Sequence, residues 1–418
     1  MTATTRTALT LALAAFPLAA QATNGYFMHG SSVKAQGMAG VSFALAHDSI
    51  KAASNPASLI ALGSQYDLGV TYFKPKRSAD ISGNDMGGGY SLDGHYDGNG
   101  ERDFWMPEGG FARMHSDRLA YGLAVYANGG MNTSYDVAPM VFGTGEAGVD
   151  LSQAFLTGSL AYKVSERHSL GVGVTYVYQR FEAKGIQNFS AMSSDGDAVS
   201  NKGQDSSNGW GLKLGWQGQV TDTLTLGASW SSRINTDSFN KYRGLFAEQG
   251  GFDVPENYGV GFAWQINPQW TLAGDWERIE YSDVRSVGNS FSMAAPLGAN
   301  NAAGFGWDDI DVYKLGVIYA ASDRLTLRAG VSHADQPIPS SQTFMNILAP
   351  GVIQDHVSLG ATWDISPEQS ISVSYTRALE EKVKGNNSIP ESFGGGEADL
   401  EMSQDIARRR LAVPVLIS

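Results

Sequence analysis

The chain has 418 residues, a formal net charge of −13 and no cysteine. The acidic balance argues against a nucleic-acid partner, and without cysteine no disulfide framework holds an exported fold together. Beyond the N-terminus no segment offers the roughly 18 uninterrupted apolar residues that a membrane helix needs.

The chain opens with Arg6, an apolar run from Ala8 to Ala20, and the small-x-small triplet Ala20-Gln21-Ala22. These are the three regions of a secretory signal peptide, so residues 1–22 are read as a removed leader and Thr23 as the mature start. The stretch that follows, Gly30 to Leu59, is rich in Gly, Ala and Ser and ends near the turn signal Asn55-Pro56-Ala57. It cannot build a core of its own and must pack against something else. Phe27, Met28, Val41, Phe43, Leu45 and Ile50 make residues 23–62 more apolar than disorder favours.

Downstream, one phrase recurs: "VSERHSLGVGVTYVY" from Val164, "VTDTLTLGASW" from Val220, "ASDRLTLRAGV" from Ala321, "ISPEQSISVSY" from Ile365. Each is a short polar turn followed by strict alternation, as in Leu170, Val172 and Val174 against Gly171, Gly173 and Thr175. Alternation fits either a soluble sandwich or an outer-membrane barrel. Short turns alternating with long loops, Trp and Tyr near the ends of the apolar faces (Trp216, Trp230, Trp264, Trp276, Tyr319, Trp363) and strands of about 10 residues or more favour the barrel. Strands are expected near 66–76, 104–115, 119–130, 151–164, 169–183, 208–220, 224–235, 255–266, 270–284, 311–321, 324–334, 354–365, 370–383 and 398–411. The fold class is therefore all-β: a membrane barrel of about 14 antiparallel strands over 63–418.

The block "TNGYFMHGSSVKAQGMAGVSFALAHDS", then "NPASL", then "YDLGVTYFKPKRSADISGN" resembles the start of the FadL family of outer-membrane transporters for long-chain fatty acids and other hydrophobic compounds, its aromatic-hydrocarbon branch included. The resemblance implies that residues 23–62 form a hatch inside the lumen, with Gly30, Gly37 and Gly40 allowing close packing and Asn55, Pro56 and Ala57 matching the family's turn. It also implies passive transport of a hydrophobic small-molecule ligand through a hatch-plugged barrel, release sideways into the membrane, and no enzyme activity or cofactor. The location would be the bacterial outer membrane, with its lipid, lipopolysaccharide and barrel-assembly machinery as surroundings and the monomer as the working state. The alternative is a general porin for small hydrophilic solutes.

Counting parity from the apolar faces, Lys213, Lys314 and Arg328 point inward and are candidates to hold a cargo carboxylate, as Asp275 and Glu277 point inward too. The bland reading is that these charges pair with one another, with the hatch or with lumen water. The loops Phe239 to Phe252 and Phe291 to Trp307 are apolar enough for a landing groove or for packing over the barrel mouth. Asp93, His95 and Asp97 have calcium-loop spacing, but Phe104 stands where a bidentate Glu is required, so no metal site is assigned. His115-Ser116-Asp117 reads as turn chemistry. From about Asp405 the last strand is atypical: Arg408 and Arg410 fall on the parity taken to face lipid, Pro414 removes a ladder donor, and no aromatic ends the chain. That break suggests a reading-frame change near Asp405.

Overall fold

The alternation closes on itself. The computed structural model describes residues 23–292 and 294–414; the expected leader, 1–22, lies outside the described residues. Its main sheet runs β1 (Gln65–Ser82), β2 (Phe104–Ser116), β3 (Leu119–Asn132), β4 (Gly148–Ser165), β5 (His168–Lys184), β6 (Asp205–Gln219) and β7 (Leu224–Ser231). It continues with β8 (Asn257–Gln265), β9 (Trp270–Ile279), β10 (Ile310–Ser322), β11 (Leu325–Ala334), β12 (Asp355–Ser366), β13 (Gln369–Val383) and β14 (Glu397–Pro414). Each strand pairs antiparallel with the next and β14 pairs with β1, closing a barrel of fourteen strands. Agreement with the expected spans is within a few residues, except that β1 runs six residues past 76, to Ser82, and β9 stops at Ile279 rather than 284.

Turns of a few residues close one end, as at Ser116 to Leu119, where the Ser116 hydroxyl accepts from the amides of Arg118 and Leu119. The run His115-Ser116-Asp117 is thus turn chemistry, as expected. On the outer face Leu170, Val172, Leu359 and Trp363 stand exposed, which is the surface a bilayer would cover. On the inner face hydroxyls pair across strands, Thr157 with Thr175 at 2.9 Å and Ser358 with Thr376 at 2.8 Å.

At the end with long loops the lumen is apolar. Phe239, Tyr242, Phe246, Phe252, Phe305 and Trp307 of the two greasy loops are buried in one large cluster with Ala398, Leu400 and Met402 of β14. The loops therefore pack over and into the barrel mouth. This placement corrects the reading of the last strand. Ala398, Leu400 and Met402 are apolar because they face loop side chains, not lipid, so their parity is the inner one, and Arg408 and Arg410 share it, each nearly fully buried. Arg409, between them, is the one that faces outward. β14 stays paired with β13 as far as Ala412 and with β1 to Pro414, so Arg408 and Arg410 continue its inner face while Ala407, Arg409 and Leu411 face outward.

Candidate functional site

Inside the barrel sits the N-terminal stretch, seated on the wall by close backbone contact and by buried charge. A single helical turn, Val33–Gln36, is capped by Ser32, whose hydroxyl accepts from the Ala35 amide at 3.2 Å. Gly37 lies against Gly360 of β12, where a Cβ would come within 2.9 Å of the facing Cα. Gly40 has φ +88° and a Cβ there would strike the His29 carbonyl, so only glycine serves; Gly30 packs against Gly40. Asn55 anchors the turn: its amide nitrogen donates to the carbonyls of Phe43 at 2.8 Å and Trp216 at 3.0 Å, and its oxygen accepts from Ala57 at 3.1 Å. Pro56 and Ala57 lie on Gly171 of β5, and the Ala57 carbonyl accepts from Ser169 at 3.0 Å. Asn-Pro-Ala is thus a docking element on the wall.

Charges complete the seat. Asp275 of β9 accepts from the amides of Ser42 at 2.5 Å and Phe43 at 3.1 Å. Arg410 of β14 pairs with Asp48 of the plug at 2.6 Å and also with Asp67 of β1, which in turn accepts from Ser49. Two arginine donors and two carboxylates therefore meet where the plug, the first strand and the last strand join.

Above this seat lies a cavity of about 110 Å³. Phe27 of the plug, Tyr126, Phe155, Ile234 and Val254 form its apolar side; Tyr126 and Phe155 stack with centroids 5.3 Å apart. Lys213, Lys314, Glu277 and His29 form its polar side. Lys314 is paired with Glu277 at 2.7 Å, whereas Lys213 donates to the Ser231 hydroxyl and, among the described residues, forms no ion pair. His29 stacks on His356 of β12 with centroids 4.6 Å apart, and burial holds its pKa well below the ordinary imidazole value. The cavity is amphipathic: an apolar body and, on its polar side, two lysines with one carboxylate between them.

The wall beside it lacks part of its hydrogen-bonded ladder. The β2–β3 ladder ends at the pair Gly109 and Val125. Beyond it, Phe104 to Glu108 pair with β1 alone, and Tyr126 to Asn132 pair with β4 alone, through a register shift between Ala127 and Gly130. Pro107, which has no amide hydrogen to offer, lies on that unpaired edge. Farther out the two sides meet again, the Gly100 amide donating to Ser134 at 3.0 Å. The result is a window in the wall, filled by Met106 and Phe104 of β2, Phe73 of β1, Ala127 of β3 and Ile406 of β14. Tyr126 and Asn128, at the window's edge, also line the cavity, and Asn128 accepts from the Met28 amide of the plug at 2.9 Å. On the outer surface just below the window, Tyr66, Leu68, Pro107, Phe111, Leu123 and Val125 line a mostly apolar recess of about 370 Å³.

Of the three expected cations, Lys213 and Lys314 come together at the cavity, while Arg328 does not. It packs beside Gly37 and Gly360 and donates to Thr362 at 2.7 Å, lower in the lumen. Asp93, His95 and Asp97 do not converge: Asp93 accepts from Asn84, His95 bonds Asp80, and Asp97 accepts from Asn99. Glu108, Tyr126 and the window went unread in the sequence, and Arg408 was read on the wrong face. The signals for the window were Pro107 and the Asn128-Gly129-Gly130 run inside a strand.

The family model for outer membrane protein transport proteins (OMPP1/FadL/TodX) matches residues 12–406. The chain is similar to the long-chain fatty acid transport protein of Escherichia coli K12, 24% identical over 407 residues, 85% of this chain and 87% of that protein. It is also similar to outer membrane protein P1 of Haemophilus influenzae, 23% identical over 316 residues, 67% of each. Among solved structures, a Pseudomonas aeruginosa FadL homologue superposes with a TM-score of 0.71 at 19% identity, covering 93% of this chain and 99% of that one. The Pseudomonas putida toluene transporter TodX superposes with a TM-score of 0.69 at 18% identity, covering 93% and 100%.

Proposed function

Because the chain belongs to the OMPP1/FadL/TodX family of outer membrane transport proteins, we propose that it carries hydrophobic molecules across the outer membrane and releases them sideways. The observation that carries this reading is the amphipathic cavity adjoining the window between β2 and β3. Cargo enters from the loop end, rests in the cavity, and leaves through the wall once the plug shifts at Met28 and Asn128. Transport runs down the cargo's gradient; burial supplies about 0.8 kcal/mol per methylene for capture, and a conformational change is needed for release. A plug seated by Asn55, Asp275 and Arg410 fits an open porin poorly, because it occupies the lumen that small solutes would use. The exported chain, freed of residues 1–22, would be inserted by barrel-assembly machinery and work as a monomer beneath lipopolysaccharide.

The cargo we favour is an amphiphile, a long-chain fatty acid, with its carboxylate on Lys213 and Lys314. Two relatives' names bear on the choice, one a long-chain fatty acid transport protein and one a toluene transporter. A neutral monoaromatic is the second reading, on the cavity's size: about 110 Å³ approaches the roughly 150 Å³ of an apolar cavity that takes up benzene. Binding to purified protein separates them. If the acid is the cargo, Lys213→Met weakens oleate at least about tenfold, the loss of one charge-assisted hydrogen bond, and leaves toluene unaffected. Toluene binding with no measurable oleate binding would establish the second reading, and binding of neither would remove both.

A further inference from the structure

One arginine stands in the middle of the face that lipid covers. Arg409 of β14 is exposed, and its guanidinium makes no hydrogen bond or ion pair among the described residues. Register places it in a row with Val373 of β13, Val70 of β1 and Pro107 of β2, and the rows to either side hold Tyr375, Tyr72, Ile371 and Leu68. The outward acid of the same strand, Asp405, is taken by Arg377 at 2.7 Å and by the Tyr375 hydroxyl at 2.6 Å. Four residues along β14 separate Arg409 from Asp405 toward the loops, and four from Val413, the partner of Tyr66, toward the turns. That is about 10 Å of depth either way on a tilted strand, so Arg409 sits near the middle of the apolar band, where a charge is least tolerated. Beside it lies the outer recess. Gly109 of β2 leaves a gap between Leu68 of β1 and Val125 of β3, and the recess of about 370 Å³ occupies that gap. Leu68 and Pro107, on its rim, are one and two strands from Arg409, about 5 and 10 Å, which a long side chain spans. Glu108 also lines the recess, but its carboxylate is buried and held by Arg408 at 3.0 Å.

We propose that Arg409 and this recess form an outer binding site for a single-chain carboxylate, the cargo as it leaves the window, with the head group on Arg409 and the chain in the recess. The assignment rests on the window route proposed above. An acid that passes sideways through the wall brings its carboxylate out inside the apolar band, where an unpaired anion is strongly disfavoured. A guanidinium at that level answers the need, since it can hold a carboxylate by two parallel charge-assisted hydrogen bonds. The same pairing offsets the cost of an arginine on the lipid face. Phospholipid phosphates lie outside the hydrocarbon core, so they fit this depth less well than a carboxylate in transit. The chain of the acid covers Leu68, Phe111 and Val125, a surface continuous with the base of the window. An uncharged cargo gains nothing from Arg409, so the site favours acids over neutral molecules of the same shape.

The test is photolabelling of the full barrel in phosphatidylcholine vesicles, using an oleate analogue with a diazirine on its chain and the methyl ester of that analogue. Wild type, Arg409→Leu and Arg409→Lys are compared; Arg409→Leu places an ordinary lipid-facing side chain, and heat-modifiable gel migration verifies that each barrel folds. Label is counted at the recess, on Leu68 and Phe111, and on the outer face of β6, on Leu212 and Leu214. The expected result is recess labelling by the acid at least about tenfold above that of β6, lost in Arg409→Leu, kept in Arg409→Lys and not shared by the ester. Equal labelling of the two places, an ester that labels as the acid does, or recess labelling unchanged in Arg409→Leu would overturn the assignment. Labelling abolished by phosphatidylglycerol in the vesicles but not by excess oleate would give the site to a lipid head group and overturn it as well. Uptake of labelled oleate by cells carrying the wild type separates this inference from the route beneath it. Uptake without recess labelling removes the outer site alone, and no uptake removes the route and the site's role with it.

Discussion

At the residue scale, what the lumen asks of a side chain depends on what faces it. Lys213 and Lys314 were legible from strand parity alone, because β6 and β10 keep a clean alternation with Leu212, Leu214, Tyr313 and Leu315 outside. Their meeting at one cavity was not, since it depends on the register across β6 to β10 and on the plug. The role of Gly40 is visible in its φ of +88° and its contact with the His29 carbonyl. Gly40→Ala should unseat the plug locally, by about 1–2 kcal/mol for the left-handed backbone alone, read as faster hydrogen exchange over Val33–Gln36 with the barrel strands unchanged. Lys51 offers a second test. It is buried in the plug, its ammonium has no hydrogen-bond partner among the described residues, and burial lowers its pKa from 10.5 to about 7. Between about 7 and 10.5 the unfolded chain binds the extra proton, so the seated plug should gain stability as pH rises through that window and be insensitive to this group below about 7. Lys51→Met should flatten the dependence of plug hydrogen exchange, after correction for intrinsic exchange, over that range; a slope equal to wild type would contradict the account.

At the element scale, the strands were legible because their period is two and their turns recur, so every expected strand has a counterpart. β14 was misread for a physical reason. Apolar parity marks the lipid face only where the lumen is polar, and near the mouth Ala398 and Leu400 face the buried aromatic loops. Arg410 ties that strand to Asp67 of β1 and Asp48 of the plug, so Arg410→Met leaves two buried carboxylates without their cation. A loss of about 3–5 kcal/mol is expected, seen as a lower unfolding midpoint in urea. The window was hidden because a missing ladder is a relation between two strands, and the sequence carries it only as Pro107 and Asn128-Gly129-Gly130. The chain has no cysteine, which makes a direct test clean. Met106→Cys with Ala127→Cys, bridged by a short bifunctional thiol reagent, should stop cargo uptake and a reductant-cleavable version should restore it. Uptake unaffected by a complete bridge would place the exit elsewhere.

For the whole molecule, the separate parts describe one path: apolar loops at the mouth, an amphipathic cavity, and a window whose outer side opens on a mostly apolar recess. The N-terminal stretch that lacked a core of its own finds one in the barrel, held by backbone contacts at Gly360 and Gly171 and by Asp275 and Arg410. The most direct measurement is uptake of labelled oleate, toluene and a small sugar by cells lacking and then regaining this protein. The account predicts gain for a hydrophobic solute and none for the sugar. Gain for the sugar alone would contradict it, since the seated plug would then not be closing the lumen.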